Sequence, residues 1–167
     1  MDRHVISVLV ENHSGVLSRI SGLFSRRGYN IDSLSVGETE DASISRMTIV
    51  VRGDSYILEQ IKKQLNKLVD VIKIVSLAPE ASVYRELVLV KVEAGEKTRA
   101  SITGIVNIFR ANIIDVSPST LTVEITGDQS KLQAFIELMQ PYGIKELVRT
   151  GLTALQRGDQ QISQVGQ

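Results

Sequence analysis

The 167-residue sequence predicts an α+β fold of two ferredoxin-like βαββαβ domains, each an antiparallel sheet with both helices on one face. Three observations carry that reading. Apolar residues alternate and then recur at helical spacing in the order β-α-β-β-α-β, the order repeats once, and the repeat survives in the residues themselves. Thr48-Ile49-Val50-Val51-Arg52-Gly53-Asp54 aligns with Thr122-Val123-Glu124-Ile125-Thr126-Gly127-Asp128, and in the helices that follow Leu58 matches Leu132, Ile61 matches Phe135 and Leu65 matches Met139.

The first strand is the loose alternation from His4 to Glu11. Val16, Leu17, Ile20, Leu23 and Phe24 share one face of the helix that follows, and Gly28 stops it. Asn30 to Val36 is a second strand, with Ile31, Leu34 and Val36 in alternation, and the charged Glu38-Thr39-Glu40-Asp41 makes the turn into a third, β-branched strand from Arg46 to Arg52. Gly53-Asp54-Ser55 caps a second helix with the stripe Leu58, Ile61, Leu65 and Leu68, and Val69 to Leu77 returns as the fourth strand before Pro79. The second copy opens with the strand Glu86 to Glu93 and a helix with the stripe Ile102, Ile105, Val106 and Phe109.

These elements divide the chain into domains at 1–78 and 84–157, a linker at 79–83 and a polar tail at 158–167 that is expected to fray. A four-stranded sheet with both helices on one face leaves its other face to be solvated, paired or covered. Self-association, most simply as a two-fold homodimer, is therefore expected.

Composition narrows the function classes. Lys plus Arg and Asp plus Glu number 19 each, so no global field draws the chain to nucleic acid or to an anionic membrane. The same element order builds RNA-binding domains, but those stack bases on aromatic residues of the central strands, and Arg46-Met47-Thr48-Ile49-Val50-Val51-Arg52 has none. The absence of cysteine removes disulfides, thiol nucleophiles and thiolate metal sites and fits a cytoplasmic setting. The only histidines, His4 and His13, cannot form a metal cluster by themselves, and no phosphate loop or catalytic elbow is present. An acyl-phosphate hydrolase on this fold would need an arginine in the Asn12–Gly15 loop, which carries none.

Glu11-Asn12-His13-Ser14-Gly15-Val16-Leu17, between the first strand and helix, is the stretch with chemistry to offer. Read by themselves, Asn12 or Ser14 can be the cap of the helix. They can equally frame a pocket for a free amino acid, whose carboxylate docks on unpaired N–H groups at the helix start. Gly15 lets backbone approach a ligand without a Cβ, and Asn30, just after Gly28, reads by itself equally as a residue of the helix exit. At the matching place the second copy has Ala94-Gly95-Glu96-Lys97-Thr98-Arg99, which lacks the amide.

The N-terminal half resembles an ACT domain, and the whole chain resembles the regulatory small-subunit family of acetolactate synthase (acetohydroxyacid synthase). The resemblance runs from about Arg3 to about Arg157. It rests on ordered blocks such as Leu9-Val10-Glu11-Asn12 with Gly15-Val16-Leu17-Ser18-Arg19-Ile20, Leu23-Phe24-Ser25-Arg26-Arg27-Gly28-Tyr29-Asn30-Ile31, and Lys67-Leu68-Val69-Asp70-Val71. It implies a non-catalytic subunit in valine, leucine and isoleucine biosynthesis that activates a large catalytic subunit and confers feedback inhibition by valine. Thiamine diphosphate, Mg and FAD are expected on the catalytic subunit and no cofactor on this chain. The resemblance further implies that valine lies between two N-terminal domains, with Asn12, Gly15, Val16 and Leu17 from one subunit and Asn30 and Ile31 from the other. A free-standing ACT-type amino-acid sensor acting on another enzyme or regulator is the alternative.

Overall fold

In the computed structural model, which describes residues 2–164, the alternation of two central strands sets the first core. Strand β1 (Arg3–Glu11) turns Ile6, Val8 and Val10 to the same face as Met47, Ile49 and Val51 of β3 (Ile44–Arg52). With β2 (Ile31–Glu38) and β4 (Val71–Ser76) they form an antiparallel sheet in the order β2-β3-β1-β4. Helix α1 (Val16–Arg27) brings Val16, Ile20, Leu23 and Phe24 onto that face, and α2 (Ser55–Asn66) brings Ile61 and Leu65. Leu17, expected on the buried stripe, is 45% exposed. It lies in the first turn, off the arc defined by Val16, Ile20 and Phe24. Val69, expected to begin the fourth strand, precedes it and is exposed.

Both ends of α1 are backbone devices. Gly15 precedes it at φ 87° with no side-chain cap, so neither Asn12 nor Ser14 is the cap. Gly28 ends it at φ 69°, which lets the Tyr29 N–H return to the Phe24 carbonyl at 3.0 Å.

The opposite face of this sheet is covered by the chain's own C-terminal segment. Leu152, Ala154 and Ile162 bury themselves on Val5, Val50, Val75 and Leu77. Strand β9 (Thr153–Gln156) pairs with β5 (Ser82–Glu93), and the Arg157 N–H donates to the Ala81 carbonyl at 2.8 Å. The described residues therefore fall into two units divided between Tyr84 and Arg85 and again between Gly151 and Leu152. The expected second domain, 84–157, spans this division: the second compact unit ends at Gly151, and the segment beyond it packs with the first. The expected fraying of 158–167 is corrected at Ile162, which is 9% exposed, because a single apolar side chain among polar neighbours finds an open sheet face. Residues 165–167 lie outside the described part.

The second unit repeats the plan. β5, β6 (Asn112–Val116), β7 (Thr120–Gly127) and β8 (Ile144–Arg149) run in the order β6-β7-β5-β8. Helices α3 (Arg99–Ile108) and α4 (Gln129–Met139) pack on Val88, Val90, Val92, Leu121, Val123 and Ile125. The sequence repeat is a structural one down to its caps. Asp54 precedes α2 at φ −83°, ψ 179° and accepts from the Ile57 N–H, while Asp128 precedes α4 at φ −79°, ψ 174° and accepts from the Lys131 N–H.

Candidate functional site

The β1–α1 loop hangs on two anchors. The Asn12 N–H donates to the Ser43 carbonyl at 2.8 Å, and the Asn12 side-chain Nδ2 donates to the Ala42 carbonyl at 2.8 Å and to Glu38 Oε1 at 3.3 Å. The amide hydrogens are thereby used within the chain, and Oδ1 is left to accept. Beyond it, Gly15 presents the first turn of α1. The Arg19 N–H bonds the Gly15 carbonyl at 3.0 Å, whereas the N–H groups of Val16 and Leu17, at the helix start, have no intrahelical acceptor.

A nearly buried carboxylate organises the loop from below. Asp70 is 5% exposed. Its Oδ1 lies 2.9 Å from His13 Nε2, and its Oδ2 lies 2.6 Å from both Nε and Nη2 of Arg19. His13 Nε2 also meets Glu11 Oε2 at 3.2 Å, and Nδ1 approaches the Ser14 carbonyl at 3.2 Å. The Ser14 carbonyl, with Glu11 and Asp70 adding to it against a smaller cost of desolvation, raises the His13 pKa above its ordinary 6.5. Glu11, His13 and Asp70 each bring a ligand atom within 4.8 Å of the others, the spacing of a metal site. The Arg19 guanidinium on Asp70 makes the group an ion-pair network instead, since it supplies the positive charge a metal would bring.

Asn30 and Ile31 stand at the other end of the sheet. Glu11 pairs with Ile44 of β3, whereas Ile31 pairs with Val51. Seven residues along one strand separate these positions by roughly 23 Å. One chain thus brings Asn12, Gly15, Val16 and Leu17 together and leaves Asn30 and Ile31 far away. There too a shielded acid sets the geometry. Asp32, with its side chain 14% exposed, accepts from Asn30 Nδ2 at 2.9 Å and from Arg52 Nε at 2.5 Å, with Arg3 Nε at 3.5 Å. Asp70, Arg19 and Asp32 lie outside the residues to which the sequence points. The available signals were a carboxylate inside the apolar run Leu68-Val69-Asp70-Val71 and an arginine one helical turn after Gly15.

The second unit shows what the same loop becomes without these groups. The Ala94 N–H bonds the Ser119 carbonyl as Asn12 bonds Ser43, and the Glu93 N–H bonds the Gly143 carbonyl as Glu11 bonds Asp70. Ala94 and Gly143 thus stand where the first unit has Asn12 and Asp70. Arg99 Nη2 closes the loop, donating to the carbonyls of Ala94, Ser117 and Pro118 at 3.2, 2.9 and 3.1 Å.

Comparison with known proteins settles the lineage. Residues 6–73 match an "AHAS small subunit-like ACT domain", and residues 85–158 match the "Small subunit of acetolactate synthase". The chain is 58% identical over 158 residues to the probable acetolactate synthase small subunit of Methanothermobacter thermautotrophicus, covering 94% of each. The chain belongs to the acetolactate synthase small-subunit family. It is 49% identical to the Bacillus subtilis acetolactate synthase small subunit, covering 95% of this chain and 93% of the relative. The crystal structure of the Thermotoga maritima small subunit superposes with a TM-score of 0.90 at 43% identity, covering 95% of this chain and 99% of that one.

Acetolactate synthase small subunits are regulatory and non-catalytic, and they associate with the large catalytic subunit. Regulation of branched-chain amino-acid biosynthesis follows from membership of the family. The expected ferredoxin-like repeat and N-terminal ACT domain hold. Among the described residues no helix is long and apolar enough to cross a membrane.

Proposed function

We propose that the chain is the effector-sensing subunit of acetolactate synthase, binding valine between two copies of its N-terminal unit. It acts in the cytoplasm, raising the activity of a catalytic subunit that holds thiamine diphosphate, Mg and FAD, and lowering it when valine is bound. The observation that supports this most is the separation of the two groups of site residues. Asn12, Gly15, Val16 and Leu17 sit at one end of the sheet, and Asn30 and Ile31 sit roughly 23 Å away. A site using both needs two chains. One chain then offers the Val16 and Leu17 N–H groups to the effector carboxylate and the Asn12 Oδ1 to its ammonium. The partner adds Asn30 and the apolar face of Ile31.

Bridging two chains is also what makes binding regulatory. A ligand shifts a conformational equilibrium only by its differential affinity, and a ligand shared between protomers favours the dimer geometry that seats it. Coupling of about 1–3 kcal/mol is the usual scale for such effects. The second unit, with Ala94 and Gly143 in place of Asn12 and Asp70, is assigned no effector and serves subunit contact.

Calorimetric titration of the purified chain with valine, beside leucine, isoleucine and alanine, tests the reading. The expected result is saturable binding of valine at one site per chain or per two chains, abolished by Gly15→Asp, with valine inhibition of the reconstituted holoenzyme lost and activation kept. Normal valine inhibition in Gly15→Asp holoenzyme would overturn the site.

A further inference from the structure

We infer that Asp70 is a positioning residue of this half-site and that Arg19, which it aims, is a further binding residue for the effector's carboxylate. The inference rests on the effector-sensing reading above and deepens it. Asp70 Oδ2 takes two of the three guanidinium nitrogens, Nε and Nη2, at 2.6 Å each. The third, Nη1, has no hydrogen bond among the described residues. It lies 2.9 Å from where a Cβ on Gly15 would stand.

That position matters because of what surrounds it. Gly15 opens the helix turn whose Val16 and Leu17 N–H groups lack intrahelical acceptors. A guanidinium nitrogen beside Gly15 and the peptide N–H groups of the turn that follows are thus neighbours, the kind of donor set that holds a carboxylate by charge-assisted hydrogen bonds. The Arg19 side chain is 48% exposed, so a ligand can reach it, while Asp70 at 7% is shielded and fixes its direction. His13 closes the other side of Asp70 through Oδ1, which leaves the carboxylate one orientation. The second unit supports the assignment independently. The backbone bond that Asp70 makes to the Glu11 N–H is made there by Gly143 to Glu93, and that loop is closed by Arg99 on three carbonyls with no acid to turn it outward.

The experiment separates a carboxylate contact from a merely structural arginine. Valine and valinamide, which lacks the carboxylate, are titrated into the full chain as wild type, Arg19→Gln, Arg19→Lys and Asp70→Asn, with Gly15→Asp as reference. Inhibition of the reconstituted holoenzyme is the parallel readout. Arg19→Gln is expected to weaken valine about tenfold, the scale of one charge-assisted bond, while leaving valinamide unchanged, so that the preference for valine shrinks by the same factor. Arg19→Lys recovers part of that loss, and Asp70→Asn reproduces it in weaker form.

Equal weakening of valine and valinamide by Arg19→Gln would overturn the inference, because a structural role moves both. Unchanged valine binding in Arg19→Gln, with binding lost in Gly15→Asp, would overturn it and leave the effector site standing. Unchanged binding in both variants would remove the site, and the inference with it.

Discussion

Leu152, 119 residues beyond Ser33, donates its backbone N–H to the Ser33 hydroxyl at 2.8 Å. Its carbonyl in turn accepts from Ser35 at 2.9 Å. Two serine hydroxyls on alternate positions of β2 thus hold the backbone of the returning segment, and the Leu152 side chain, 8% exposed, adds to the second core on the sheet. The stability of the N-terminal unit therefore depends on residues at the far end of the chain.

Leu152→Ala is accordingly expected to destabilise the N-terminal unit by about 2–3 kcal/mol, the lower part of the range for a buried leucine, since the site lies at the margin of the core. Leu155→Ala three residues on, at a side chain 59% exposed, is expected to change stability by less than about 0.5 kcal/mol. Denaturant unfolding of the two variants side by side checks this. Equal effects would mean that the segment contributes nothing by packing.

Gly15 and Gly28 flank the same helix in the same left-handed region, at φ 87° and 69°, but with different surroundings. Alanine at either is expected to cost about 1 kcal/mol from backbone conformation alone. Only at Gly15 does the new methyl meet something, Arg19 Nη1 at 2.9 Å, while nothing lies within 4 Å at Gly28. Thermal melts should therefore fall for both variants, and valine inhibition of the holoenzyme should weaken for Gly15→Ala only.

Asp54 and Asp128 are the same cap in two copies, accepting from Ile57 N–H at 2.9 Å and Lys131 N–H at 3.0 Å. Alanine at either should cost its own unit about 1 kcal/mol, and the double variant should show the two losses without coupling. Hydrogen exchange resolved to α2 and to α4 reads the units separately, and loss of protection in the wrong helix would contradict the independence of the caps. The Lys131 N–H and the Ser130 hydroxyl also hold the Asp128 carboxyl below its ordinary pKa. Its contribution is present above the unfolded-state value near 3.9 and disappears as pH falls through the lowered folded value.

His13 gives the effector loop the opposite dependence. Its pKa is raised above 6.5, first by the Ser14 carbonyl, with Glu11 and Asp70 on the sides facing it and Arg19 across Asp70 as the opposing charge. A raised folded pKa makes protonated His13 stabilising below 6.5, and that contribution is lost as pH rises through the folded value. The difference in thermal midpoint between pH 6 and pH 8 should therefore shrink in His13→Asn. An unchanged difference would place the pH dependence elsewhere.

Much of this was legible in the residues. Alternation in His4–Glu11 and the stripe Val16, Ile20, Leu23 and Phe24 need only the local periods of strand and helix, and the Gly53-Asp54 and Gly127-Asp128 caps act within four residues. Leu17 departs from its expected buried place because a 3.6-residue period leaves the margin of an apolar arc undecided over one turn. Asp70 shows its role only in the fold, because its partners His13 and Arg19 lie more than fifty residues away in the chain.

The sequence by itself determined the repeat, the order of elements, the family and the loop from Asn12 to Leu17, since each is written in short-range pattern or in blocks of adjacent residues. Only the tertiary structure decided that Leu152 to Ile162 belongs with the first sheet, that Asp70 binds Arg19 and His13 beneath Gly15, and that Asn12 and Asn30 stand at opposite ends of one sheet. Those facts depend on strand register and on which face a distant segment covers. Both are fixed by burial of apolar surface across the whole fold, a quantity that no local stretch of sequence contains.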